Sequence, residues 1–117
     1  MAEYLPIYKP GQAFTLKASA AITGGQLVEV TGAGTVGPAG AASVKVVGVA
    51  AFDAAINDNV TIYAGGVQHG TAAGTIAAGD VVQAGAAGTV AAGTTAPIGV
   101  ALTGAAAAGD VRVLFNR

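Results

Sequence analysis

Catalysis or metal binding in this chain would have to be assembled from one histidine, six carboxylates and two serines, because cysteine is absent. His69 stands in the run VQHG, with no second histidine to complete a metal site and no acid beside it in sequence. The expectation is a surface or loop residue. Glu3, Glu29, Asp53, Asp58, Asp80 and Asp110 are scattered, and the last three fall at turns, where an acid bonds backbone N–H groups. Asp53 and Asp58 flank one loop but offer too few oxygens to hold calcium. Neither Ser19 nor Ser43 lies in a nucleophile elbow. GAGTVG at residues 32–37 spells the dinucleotide fingerprint, yet Pro38, Gly40 and the run Val44–Val49 follow where that fingerprint needs a helix. A hairpin turn is expected there instead. No nucleophile, base and orienting group come together, so the reading is a non-enzyme with no catalytic residue, cofactor or metal.

Composition sets the limits on what can position these residues. The chain has 117 residues, of which 29 are Ala and 19 are Gly, so its core must be thin. Leu, Ile, Val and Phe make up about a quarter, above the level at which disorder is expected. Glycine loses the most conformational freedom on folding and alanine buries little apolar area, so the isolated chain is expected to be marginal and to gain from association. A net charge of −1 with 9% charged residues leaves no basic patch for nucleic acid. No apolar run approaches the roughly 18 to 20 residues of a spanning helix, and the first ten residues lack a secretory h-region. No membrane partner is expected.

The strongest internal signal is a duplication. ITGGQLVEVTGAGTV at residues 22–36 aligns without gaps on IAAGDVVQAGAAGTV at residues 76–90, with seven of 15 positions identical. The match resumes between residues 47–63 and 98–114, after a three-residue length difference. Short β-branched runs bounded by Gly, Asn and Asp, namely QLVEV, VKVVGVA, NVTIYA, DVVQA, PIGVAL and DVRVLF, read as strands. In the last of these, alternation puts Val111, Val113 and Phe115 on one face and Arg112 and Leu114 on the other. The alanine-rich stretches 51–57 and 102–108 are read as loops. The predicted fold is all-β: a small barrel or sandwich of two duplicated units, repeats 22–63 and 76–114, within one β-domain over residues 15–117.

Residues 1–14, MAEYLPIYKPGQAF, differ from all that follows. Pro6 and Pro10 fix φ and favour extended geometry before them, which makes this an arm and not a helix. It is either a first strand tucked on its own domain or an arm that docks on a neighbour. Docking would use strand addition or burial of Tyr4, Leu5, Ile7 and Tyr8 in the neighbour's grooves.

The arm YLPIYKPGQAFT, the unit GGQLVEVTGAGTV, the stretch VVGVAAFDA and the repeated GDVV and GDVRV strands together resemble the bacteriophage capsid cement proteins. The resemblance covers nearly the whole chain. It implies a virion protein made in the bacterial host cytoplasm and carried on the outer surface of the capsid. It further implies homotrimers at three-fold or quasi-three-fold positions that clamp neighbouring major capsid protein subunits. The expected capsid contact is Tyr4, Leu5, Pro6, Ile7 and Tyr8. Two rival functions stand beside this one: a tail or fibre module, and a carbohydrate-binding module. The second usually needs an exposed aromatic face, and Trp is absent here.

Overall fold

The computed structural model describes residues 13–116. It contains strands β1 (Ala13–Ala18), β2 (Leu27–Gly32), β3 (Thr35–Pro38), β4 (Val46–Ala50) and β5 (Asn59–Tyr63) in a first unit. The second unit holds β6 (Gly66–Thr71), β7 (Val81–Ala84), β8 (Val90–Ala92), β9 (Pro97–Ala101) and β10 (Asp110–Phe115). A 3-10 turn at Ala86–Gly88 is the one helical segment among the described residues. All six runs read as strands from the sequence are strands, and both alanine-rich stretches are loops. β1 starts at Ala13, so the last two residues of the arm as drawn from sequence already belong to the sheet.

The first unit is a closed barrel in the order β1-β3-β2-β4-β5, sealed by antiparallel pairing of β1 with β5. The second is a five-stranded sheet in the order β6-β10-β9-β7-β8. The two share one strand order and register. Leu27 pairs with Val49 and Val28 with Gly48 before a bulge, as Val81 pairs with Val100 and Val82 with Gly99 before a bulge. The loop bridge Ile22–Ala54 recurs as Ile76–Ala105. The parallel seam of the barrel, where Ala18 faces Val36, recurs as the single bridge of Ala72 to Val90. The duplication read from residues 22–63 and 76–114 is therefore present strand by strand, and it extends back to β1 and β6.

The interiors match in the same way. Ala18, Ile22, Val28, Val36, Ala50, Ala54, Val60 and Ile62 fill the first barrel. Ala72, Ile76, Val82, Val90, Ala101, Ala105, Val111 and Val113 occupy the equivalent places in the second. Alternation explains the choice, since Val111 and Val113 are buried while Arg112 and Leu114 face outward. Among the described residues, eight of the 21 buried apolar residues are alanines and none is aromatic. Each buried Val or Ile contributes about 1.5–3 kcal/mol, and each alanine much less, so the valines and isoleucines carry these cores.

The units are also joined. Leu27, Ala39 and Val49 of the first belong to the core of the second, with Val46 packed against it. Backbone bonds run from the Gly88 N–H to the Ala39 oxygen and from the Ala42 N–H to the Ala84 oxygen, each 2.8 Å. The Gln26 side-chain amide donates to the Ala87 oxygen at 3.0 Å. A Cβ on Gly88 would lie 2.8 Å from the Gln26 Cβ and 2.9 Å from the Leu27 oxygen, so the units meet at backbone distance.

Candidate binding surfaces

The polar side chains are placed by turns, and most of them serve those turns. The Asp80 carboxylate accepts the Ala77 N–H at 2.9 Å, and at the equivalent position Gln26 accepts the Thr23 N–H at 2.8 Å. Asp58 accepts the Ala55 N–H at 3.3 Å. Asp53 ties two loops by accepting the Gly24 N–H at 2.8 Å. Glu29 accepts the Gly40 N–H at 2.7 Å, and its counterpart Gln83 accepts the N–H groups of Thr95 and Ala96 at 3.0 and 3.3 Å. An amide serves in place of a carboxylate at two equivalent positions, so the role is to accept, and the charge is incidental.

Asp110 departs from the turn role expected for it. The equivalent of Asp58 in the second unit is Gly109, which has no side chain, and Asp110 is the first residue of β10. Thr71 faces Asp110 and His69 faces Arg112, so His69 and Asp110 are diagonal neighbours on one outer face. His69 is a surface residue as expected, and its Nδ1 lies 3.1 Å from both Asp110 oxygens, an acid supplied by the facing strand and absent from its sequence neighbourhood. The acid is 41 residues away in sequence and arrives only through strand register. The two side chains are 68% and 64% exposed, and an ion pair in such high dielectric is weak. Ser19 bonds Thr31 and the Val36 oxygen, and Ser43 accepts the Lys45 N–H, so neither stands with His69. Among the described residues no three His, Cys, Asp or Glu side chains cluster as metal ligands.

The fingerprint-like GAGTVG forms the tip of the β2–β3 hairpin, where Gly32 pairs with Thr35 across Ala33 and Gly34. Gly34 has φ +73°, a conformation that suits glycine. Glu3 and the arm residues Tyr4, Leu5, Pro6, Ile7 and Tyr8 lie outside the described residues. Among the described residues no helix is long and apolar enough to cross a membrane.

The outer face of the second sheet carries an apolar row. On the second sheet Val67 faces Leu114, Leu114 faces Val100, and Val100 faces Val81, which forms one row across β6, β10, β9 and β7. Val67, Leu114 and Val81 are 53%, 42% and 39% exposed, and Val100 is half-buried. Beside the row lie exposed His69, Asp110 and Arg112. An apolar strip with a polar margin has the composition of a contact surface. Outward Leu114 was visible in the alternation of DVRVLF, but the row across four strands needed the registers.

The fold is similar to that of a solved phage protein, the N base of the head fibre gp8.5 of bacteriophage phi29. The TM-score is 0.75 at 20% identity, over 90% of this chain and 93% of that one. No curated protein matches the sequence. The family model described as phage cement protein matches residues 8–116, which takes in every strand above. A bacteriophage structural protein is thereby supported, and this chain belongs to the phage cement protein family.

Proposed function

We propose that the protein decorates the outer surface of a bacteriophage head and strengthens the shell by binding its major capsid protein, as trimers at three-fold or quasi-three-fold positions. The observation that carries this reading is membership of the cement family across residues 8–116. The physical character of the molecule supports it. Five of the described carboxylates accept backbone N–H groups or pair with a histidine at the surface, and the work left to the protein is binding. A head filled with DNA presents many equivalent sites, so a small subunit of modest affinity reinforces the shell through multivalency. Closing copies around a three-fold axis offsets the weakness of an alanine-rich core by burying outer apolar surface.

The arm supplies the capsid contact in this reading, with Tyr4, Leu5, Pro6, Ile7 and Tyr8 entering the capsid subunit. Tyr8 is the first residue of the family match, so the other four lie ahead of it. The role involves no catalysis and no cofactor. The test is to mix purified protein with expanded heads that lack it and to image the particles. Density at three-fold positions is expected, and bare heads at saturating protein would refute the reading. A second reading, the base of a head fibre, has the fold likeness to the phi29 head-fibre base in its favour. In the same images it predicts sparse projecting density in place of an ordered lattice of nodules.

A further inference from the structure

The two units of this chain touch through different surfaces, and each unit carries both. The first unit presents a row equivalent to the one described above, in which Ala13 faces Tyr63, Tyr63 faces Val49 and Val49 faces Leu27. The Val49–Leu27 end of that row is buried under the second unit. Leu27 and Val49 join the core of the second unit, and the β7–β8 connection, Ala84–Gly88, lies against the Leu27 end with bonds to Ala39, Ala42 and Gln26. The matching end in the second unit, Val100–Val81, is covered by no third unit among the described residues. Its neighbours Leu114 and Val67 extend the apolar strip further.

The first unit carries the sequence counterpart of that connection in its β2–β3 hairpin, where Gly32 pairs with Thr35 across a two-residue turn in place of the 3-10 turn with its left-handed Ala87. Ala33-Gly34-Thr35-Val36 repeats Ala87-Gly88-Thr89-Val90 residue for residue, and Gly34 and Gly88 both have φ +73°. In the second unit this segment is seated against Gln26 and Leu27. In the first unit Val30–Gly34 is exposed throughout. The described residues thus carry one filled joint and the two unfilled halves of another. This is the condition of the end units in a repeat array, which expose the surfaces that internal units bury.

We infer that a second copy of this chain fills the open joint: its β2–β3 hairpin, around Val30, Ala33 and Gly34, docks on the Val67–Leu114–Val100–Val81 face. The contact continues the interface already present inside the chain, with Val81 in the place of Leu27 and Val100 in the place of Val49. It is heterologous, since the donating and receiving patches differ, and such a contact must close into a ring or run on as a filament. The inference rests on the trimer proposed above in one respect only, that closure comes at three copies.

Because the chain has no cysteine, introduced thiols report this contact without background. Val81→Cys and Ala33→Cys change exposed residues, and each variant is treated with a short bis-maleimide alone and in a mixture. Covalent dimers are expected from the mixture and from neither variant alone, and a chain bearing both changes should give covalent trimers. Dimers from Val81→Cys alone would mean a two-fold contact and overturn the inference. No cross-link in a mixture whose mass by light scattering is about 33 kDa, three copies of 11.0 kDa, would also overturn it while leaving the trimer intact. If the mixture scatters as single chains, the same pair is tested on decorated heads, where absence of the cross-link overturns the inference. Cross-linked rings that fail to bind heads would uphold the joint and refute capsid decoration.

Discussion

Replacing Gly48 or Gly99 by alanine probes the duplicated architecture at its tightest points. Each glycine sits beside the bulge of its unit, and each backs onto the neighbouring strand. A Cβ at Gly48 would strike the Tyr63 carbonyl oxygen and stand 2.8 Å from the Ile62 Cγ2. At Gly99 it would strike the Leu114 oxygen and stand 3.1 Å from the Phe115 Cα. These obstacles are largely backbone held by sheet pairing, so the strands must separate, and overpacking of this kind costs about 1–3 kcal/mol. Unfolding entropy of roughly 2.1 cal/mol/K per residue makes each kcal/mol worth about 4 °C in a chain of this length. Each substitution should therefore lower Tm by about 4–12 °C. The assay is thermal unfolding followed by circular dichroism, at equal protein concentration because association shifts Tm. Gly74→Ala is the control: a Cβ there meets nothing within 4 Å, and Tm should hold or rise slightly. If Gly48→Ala and Gly99→Ala both melt within about 2 °C of wild type, the close strand approach argued here is wrong.

Other outcomes follow from the asymmetry between equivalent positions. Leu27→Ala empties a fully buried site between the units and should destabilise by about 2–5 kcal/mol in chemical denaturation, whereas Val81→Ala should cost under about 1 kcal/mol in the single chain. Equal costs would mean that the units do not meet at Leu27. Asp53→Ala removes the acceptor for the Gly24 N–H and should cost about 1 kcal/mol by the same assay. His69→Ala breaks an exposed pair and should shift Tm by less than about 2 °C, and a larger loss would show that the pair is structural.

The strands legible in the sequence were those whose β-branched residues are buried by one face of the sheet. The four that escaped, β1, β3, β6 and β8, are held by main-chain pairing around residues with little strand character. β3 is TVGP, β8 is only VAA, and β6, GVQHGT, has Gly70 as its one buried residue. β1 and β6 occupy the same place in the two units, yet Ala18 and Ala72 are nearly their only shared feature. Backbone pairing survives such divergence because it needs no particular side chain, which is why the repeat seemed to begin at Ile22. The turn acids at Asp58 and Asp80 were readable because a turn is local. The His69–Asp110 pair and the row from Val67 to Val81 are products of register between distant strands. No inspection of neighbours along the chain reveals them.

The proposed function requires that the arm bind the phage shell and that the β-domain keep its fold without it. The direct measurement compares the full chain with a version lacking residues 1–12 on expanded heads, scoring occupancy by electron microscopy and fold by circular dichroism. Because strands β1–β10 as described and both buried cores lie within residues 13–116, the truncated protein should keep its β spectrum and its association in solution while occupancy falls to background. Full occupancy by the truncated protein would refute the arm assignment, and absence of binding by the full chain would contradict capsid decoration itself.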